Sequence, residues 1–423
     1  MAVTADWTRS PQLAEFGASR PGDAGDAVDG EAPAIVIEPA DGVQMGRALA
    51  WASQNGLATV IRGRGTKLAW GRAPARLDVI LSTAHLNGAI VHRHGDLTAT
   101  VPAGLTVADC NRQLAKQGQW LPVDSAFEAA TVGGLVATND SGPLRHRYGS
   151  PRDLLIGITL ALTDGTLVKS GGHVVKNVAG YDLAKLVSGS FGTLAAIVDA
   201  TFKLLPIPHT SRTVLVEYAD DAPLAQDVAA LSASQLEPTA CDIHVLTGHP
   251  GGAPRRVLAI RFATSPAATA AQTAEAQRLV QGQTRVLADA AEAAWWSEQV
   301  RRPWTVPGMV LRLGWRPADL PHVLTLIGEL RRASGGALEL TGRAALGAGM
   351  LRLDVETPAA GGLIERLRAP GTPVGNVTVL RHGLAPKGAI DPWGPPPPAM
   401  AALAALKRSF DPAGILNAGR GPI

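Results

Sequence analysis

"VIRGRGTKLAWG", residues 60–71, begins as a short apolar strand and breaks into three glycines among two arginines and a lysine. Glycines let main chain approach a ligand closely, and successive N–H groups in such a loop form a concave anion site. The stretch is not a P-loop, which spaces its glycines more widely and follows them with Lys-Ser/Thr. A dinucleotide fingerprint asks for a third glycine where this chain has Leu68, and no amphipathic helix follows. Alone, the loop is either an anion nest or a tight strand-to-strand turn.

Working outward, "AIVIEP" predicts a strand and "DGVQMGRALAWASQNG" a helix, with Asp41 as N-cap and Gly56 as stop, so the loop closes a β–α–β unit. "LDVILS" is a further strand. "TVADCNRQLAKQG" is a helix opened by Thr106 and Asp109 and ended by Gly118. "LLIGITLALTDGTLVKS" predicts a hairpin turning at Thr-Asp-Gly-Thr. In "TLAAIVDATFKLLP", alternation puts Val198, Ala200, Phe202 and Leu204 on one side and Asp199, Thr201 and Lys203 on the other. Ile197 falls on the polar side, where a ligand suits it better than water. Residues 1–31, rich in Asp, Ala, Gly and Pro, are expected to be a loosely ordered lead-in.

The prolines of "PIPHTS", residues 206–211, mark a boundary between a domain at 32–208 and another at 209–390. Beyond it "TVLVEY", "CDIHVL", "RVLAIRF", "MVLRLGW", "MLRLDVE" and "VGNVTVLR" read as strands, with helices such as "LPHVLTLIGELRRAS" between them. This predicts an α+β domain whose helices cover one face of an antiparallel sheet. Residues 391–423 are a proline spacer, a short amphipathic helix and an ordered end. Trp295 and Trp296 are adjacent in a helix, so one of them is expected to face away from the core.

Composition narrows the function classes. A net charge of +3 with no basic block argues against nucleic acid. The N-terminus lacks a basic flank followed by an apolar run, so no signal peptide is expected, and no run of about 18 apolar residues predicts a membrane span. Cys110 and Cys241 are the only cysteines, too few for a cluster with four thiolates of its own. His209, His244, His249, His322 and His382 form no metal-ligand pattern, and no metal is expected.

Two more glycine-rich segments follow the first: "LPVDSAFEAATVGGLVATNDSGPLRHRYGSPRD" and "GGHVVKNVAGYDLAKLVSGSFGTLAAI". In this order, with "ALKRSFDPAGILNAGR" at the end, they resemble the vanillyl-alcohol oxidase and p-cresol methylhydroxylase flavoprotein family. Within it, "SGPLRHRYGSPRD" and "GGHVVKNVAGYD" most resemble the smaller FAD-binding (E) subunit of bacterial glycolate oxidases. The resemblance implies an α+β chain: a two-subdomain FAD-binding domain of the p-cresol methylhydroxylase type, then an α+β cap domain with an antiparallel sheet.

It also implies site residues. The backbone of Arg62, Gly63, Arg64, Gly65 and Thr66 would receive the FAD pyrophosphate. Thr131, Gly133, Gly134, Asn139, Ser141 and Gly142 would line the pyrophosphate and isoalloxazine, with Asp124 near the flavin. Ile197 would meet the adenine side, and Asn417 with Arg420 would return the C-terminus to the flavin, although Ala418 stands where the family more often has Pro. Relatives with tethered flavin commonly carry His where this chain has Thr66, so FAD is expected to be non-covalent. Oxidation of a 2-hydroxy acid needs a cation for the carboxylate and a base for the hydroxyl proton. Arg381 and His382, with Lys387, are the candidates. The implied partners are a larger flavoprotein subunit and an iron–sulfur subunit of a glycolate oxidase-type complex. The implied location is cytoplasmic, with any peripheral attachment to the inner membrane made through partners. Two alternatives stand beside this: a self-sufficient FAD-dependent dehydrogenase or oxidase of another hydroxylated small molecule, and a non-catalytic flavin-carrying structural subunit.

Overall fold

The computed structural model describes residues 7, 10–173, 181–248, 254–355, 357–383 and 388–422. The fold is α+β, in two compact units. The first comprises residues 1–141, 150–207 and 395–423, and the second 142–149 and 208–394. Among the described residues no helix is long and apolar enough to cross a membrane.

In the first unit, β1 (Ala18–Pro21), β2 (Ile35–Glu38), β3 (Thr59–Arg62) and β4 (Val79–Ser82) form a sheet in the order β1-β2-β4-β3. The last three run parallel, and β1 is antiparallel to β2. Helix α1 (Gly42–Gln54) makes the crossover from β2 to β3 and is capped by Asp41, whose carboxylate accepts the Gln44 N–H at 2.8 Å. Its Met45, Ala48, Leu49 and Ala52 are fully buried, the stripe expected of a helix laid on a sheet.

A second sheet contains β5 (Val91–Arg93), β6 (Thr98–Pro102), β8 (Leu155–Ala161), β9 (Leu167–Gly171) and β10 (Ala196–Lys203), antiparallel in the order β5-β6-β10-β8-β9. The two-residue strands β7 (Gln119–Trp120) and β11 (Leu205–Pro206) pair separately. The β8–β9 hairpin turns as the sequence predicts, with Gly165 at φ +90°. The alternation expected along β10 is inverted at its start. A bulge between Ile197 and Asp199 places Ile197 with Ala200 and Phe202 in one core, while Val198 faces the other.

The expected loose lead-in is also corrected. Residues 18–21 pair with β2, and Leu13, Phe16 and Val28 are buried. The buried carboxylate of Asp26 receives Arg20 through two hydrogen bonds, at 2.6 and 2.8 Å, and Arg62 through one at 2.9 Å. Composition hid this, because one clamped aspartate looks like any other in an Asp-rich stretch.

The second unit is built on eight antiparallel strands: β12 (Thr210–Tyr218), β13 (Ala240–Leu246), β14 (Arg255–Thr264), β15 (Gln283–Ala288), β16 (Met309–Trp315), β17 (Ala337–Arg343), β18 (Ala348–Asp354) and β19 (Val374–Arg381). Their order is β15-β12-β14-β13-β17-β18-β16-β19. Cys241, Ile243, Leu338, Leu340, Leu351 and Leu353 point to one face and pack with Leu224, Val323 and Ile327 of the helices there. Helices are not confined to that face. Helix 289–305 covers part of the other, where Trp296 packs on Leu215, Ala240, Val257 and Ala259. Trp295 joins the same cluster edge-on to Trp296, with ring centroids 4.7 Å apart, so the pair shares one core after all.

Arg20, with Arg62, holds the Asp26 carboxyl well below the usual carboxylate range. A depressed carboxylate stabilises above its unfolded pKa, roughly 3.9, and loses that contribution as pH falls toward the folded value. Asp26→Asn is therefore expected to cost about 2–4 kcal/mol at neutral pH. The gap between wild-type and variant urea midpoints should be flat down to about pH 5 and should narrow below about pH 4.

Candidate functional site

β3 and β4 are parallel neighbours, so the chain leaving β3 must travel back past the sheet before β4 begins. That excludes the tight turn left open by the sequence. The return path is residues 63–78, which hold no helix. Arg62 starts it with its guanidinium fixed by Asp26, and Gly65 bends it at φ +73°. Among the described residues, none accepts a hydrogen bond from the N–H of Gly63, Arg64, Gly65, Thr66 or Lys67. Consecutive donors without internal acceptors are the requirement of an anion nest.

Helix α3 (Val132–Thr138), preceded by α2 (Val107–Leu114) in the chain, faces this loop. Its first N–H groups are already bonded: Val132 to the Leu105 carbonyl, Gly133 to that of Ala103, and Gly134 to Thr131 Oγ1 at 3.2 Å. The helix start therefore contributes shape rather than free donors. The fit is close, since a Cβ on Gly63 would lie 2.3 Å from Thr131 Oγ1 and one on Gly133 2.9 Å from the Ala103 Cβ.

The end of the chain completes the site. Residues 415–417 run beside β3: the Thr59 N–H donates to the Ile415 carbonyl, and the Asn417 N–H to that of Thr59, both at 2.8 Å. The buried Arg420 guanidinium donates to the carbonyls of Leu68, Trp70 and Arg72, pinning the return path, and burial lowers its pKa. Asn417, at φ +45°, donates from Nδ2 to the carbonyl of Phe191, itself at φ +57°. Left-handed backbone is ordinary for Asn417 but strained for the bulky Phe191, and such strain collects at ligand sites.

These pieces border one cavity of about 840 Å³, counting its open mouth. Arg62, Gly63, Arg64, Gly65, Thr66, Thr131, Gly133, Gly134, Ile197, Asn417 and Arg420 line it. Asp124, Asn139 and Ser141 are not in its wall, and Gly142 falls in the second unit. Asn139 ends α3 at φ +46° and accepts the Arg152 N–H at 3.2 Å. Arg381 and His382 are in the second unit as well. Arg381 donates to the carbonyls of Gly308, Trp304 and Val306 at 2.6–2.8 Å, which makes it a tie between β19 and the segment before β16. His382 is buried. Lys387, His249 and the segment 174–180 lie outside the described residues. Sequence reasoning missed Trp70 and Phe191 in the wall, and it marks Lys67 only as a charge that falls together with Arg62 and Arg64. Lys67 stood within the decisive loop, but nothing in its spacing said which way its side chain turns.

Residues 33–171 match the family described as FAD binding domain, and this part of the chain is an FAD-binding domain. The cofactor of the chain is FAD. Glycolate oxidase subunit GlcD of Bacillus subtilis is 35% identical over 207 residues, covering 49% of this chain and 44% of the relative. Glycolate oxidase subunit GlcE of Escherichia coli is 33% identical over 181 residues, covering 42% and 50%. D-lactate dehydrogenase of Archaeoglobus fulgidus is 33% identical over 172 residues, covering 41% and 39%. The chain thus spans half or less of the length of these curated relatives. The structure of an alkyldihydroxyacetonephosphate synthase superposes with a TM-score of 0.69 at 15% identity, over 92% of this chain and 77% of that one, which is a likeness of fold.

Gly63→Ala should drive the loop from Thr131 while leaving both sheets in place. Flavin absorbance retained per chain after gel filtration is expected to fall at least about tenfold, with far-ultraviolet circular dichroism unchanged. Arg64→Ala, which trims an exposed side chain, should retain flavin as wild type does.

Proposed function

We propose that the chain is the FAD-carrying subunit of a glycolate oxidase-type complex that oxidises glycolate or a related 2-hydroxy acid to the 2-oxo acid. The observation that carries the reading is the loop of unaccepted N–H groups facing α3 across a cavity closed by residues 415–420. Bound there, FAD would supply the two-electron acceptor for a CH–OH group. The protein's own part is to hold the diphosphate on the loop N–H groups and to wall the cavity with Trp70, Phe191 and Ile197. The names of the relatives, glycolate oxidase subunits and D-lactate dehydrogenase, support the 2-hydroxy acid as substrate class.

Electron exit favours partners. Burial pushes the thiols of Cys110 and Cys241 up to about 12, so neither offers a thiolate near neutrality, and this chain cannot build a cysteine-ligated cluster. An iron–sulfur subunit would take the electrons, and a larger flavoprotein subunit would complete the assembly. Thr66 offers no imidazole for a tether, so the FAD would be non-covalent.

An anaerobic visible spectrum tests both halves. Acid precipitation should release all the flavin, and glycolate or D-lactate added to the isolated chain should bleach it only slowly. Co-expression with the partner subunits should restore bleaching. Fast bleaching of the isolated chain would instead make it a self-sufficient dehydrogenase.

A further inference from the structure

The ammonium of Lys67 is the unexplained charge of the cavity. Its side chain is 6% exposed although it sits on a loop whose backbone is open. It lies 3.1 Å from Asp140 Oδ2, yet it makes no well-aligned hydrogen bond to any described residue. The Trp70 and Phe127 rings flank it, each centroid 5.7 Å from Nζ. Asp140 is itself almost buried, and the same oxygen that faces Lys67 accepts the Ser125 hydroxyl at 3.1 Å. A buried ammonium with three donors and none satisfied is expensive, and a single misaligned carboxylate repays little of that cost.

The other cations of the cavity wall are committed or remote. Arg62 is bound to Asp26, Arg420 to three carbonyls, and the side chain of Arg64 is exposed. The loop N–H groups carry only partial charges, whereas each phosphate of a diphosphate carries a formal one. Lys67 belongs to the same loop and lines the same cavity.

Resting on the assignment of FAD to this cavity, we infer that Lys67 exchanges partners: its ammonium leaves Asp140 for the diphosphate of the incoming cofactor. Asp140 is the resident anion that keeps the lysine in place before FAD arrives and competes with it afterwards. The pair sets how tightly the diphosphate is held, independently of the ring system attached to it.

The test is equilibrium titration of the full chain with FAD, ADP and riboflavin, by fluorescence and calorimetry, for wild type, Lys67→Met and Asp140→Asn. Lys67→Met is expected to weaken FAD and ADP by about tenfold to a hundredfold and to leave riboflavin unchanged. Asp140→Asn removes the competitor, so FAD and ADP should bind more tightly than to wild type. A merely structural role for the pair would weaken binding in both variants. Should Lys67→Met not fold, Asp140→Asn decides alone, and an unchanged or weaker ADP affinity there overturns the exchange. Equal FAD and ADP affinities in wild type and Lys67→Met would also overturn it. So would a shift in flavin potential without a change in ADP affinity, because the cation would then serve the ring. Wild-type protein that binds neither FAD nor ADP would instead remove the cofactor assignment, and this inference with it.

Discussion

Five successive backbone donors, from Gly63 to Lys67, face no acceptor among the described residues. Folded proteins seldom leave such groups without a partner, so a loop that does must be held open by everything around it. Here the parallel pairing of β3 and β4 forces the long return path. Asp26 fixes its first residue through the Arg62 guanidinium, Thr131 presses on Gly63, and Arg420 pins the carbonyls of residues 68, 70 and 72. The loop is shaped by its supports rather than by its own hydrogen bonds.

The second unit shows the opposite treatment of buried charge. Glu339 lies in the sheet with His244 at 2.7 Å, Arg352 at 2.9 Å and Arg302 also bonded to it. Burial alone would raise its pKa, but the bonds from His244, Arg302 and Arg352 outweigh that and hold the carboxyl at about 2. Near the other edge, Glu292 accepts from Ser211 and Thr213, and Trp296 donates to Thr213. A buried carboxylate bonded from several sides in this way is architecture. The contrast with the loop separates what holds the molecule together from what waits for a ligand.

Much of this was legible from residues alone. Asp41 and Thr106 cap their helices as their spacing announces, and Thr-Asp-Gly-Thr turns its hairpin. The glycine loop and the C-terminal Asn417 and Arg420 meet at one cavity. What failed depended on tertiary partners. The bulge at Ile197 shifts a clean alternation by one residue, and only pairing with β8 fixes it. β15 is an exposed edge strand, and β17 buries a glutamate and an arginine where a sequence reading looks for apolar residues. Both were missed for those reasons. Arg381 looked like a substrate cation, but an arginine turned toward carbonyls and one turned toward a cavity are identical in sequence.

The strand-like contact of residues 415–417 with Thr59 has a consequence for the order in which the molecule matures. On the ribosome the loop is made early, and the residues that pin it are made only after the entire second unit has been synthesised. Domains fold as they emerge, so the first unit must wait with one side of β3 uncovered until residue 420 arrives. Pinning of the loop is therefore a late event in the life of the nascent chain. It reports that the chain has been made through residue 420 and brought back on itself.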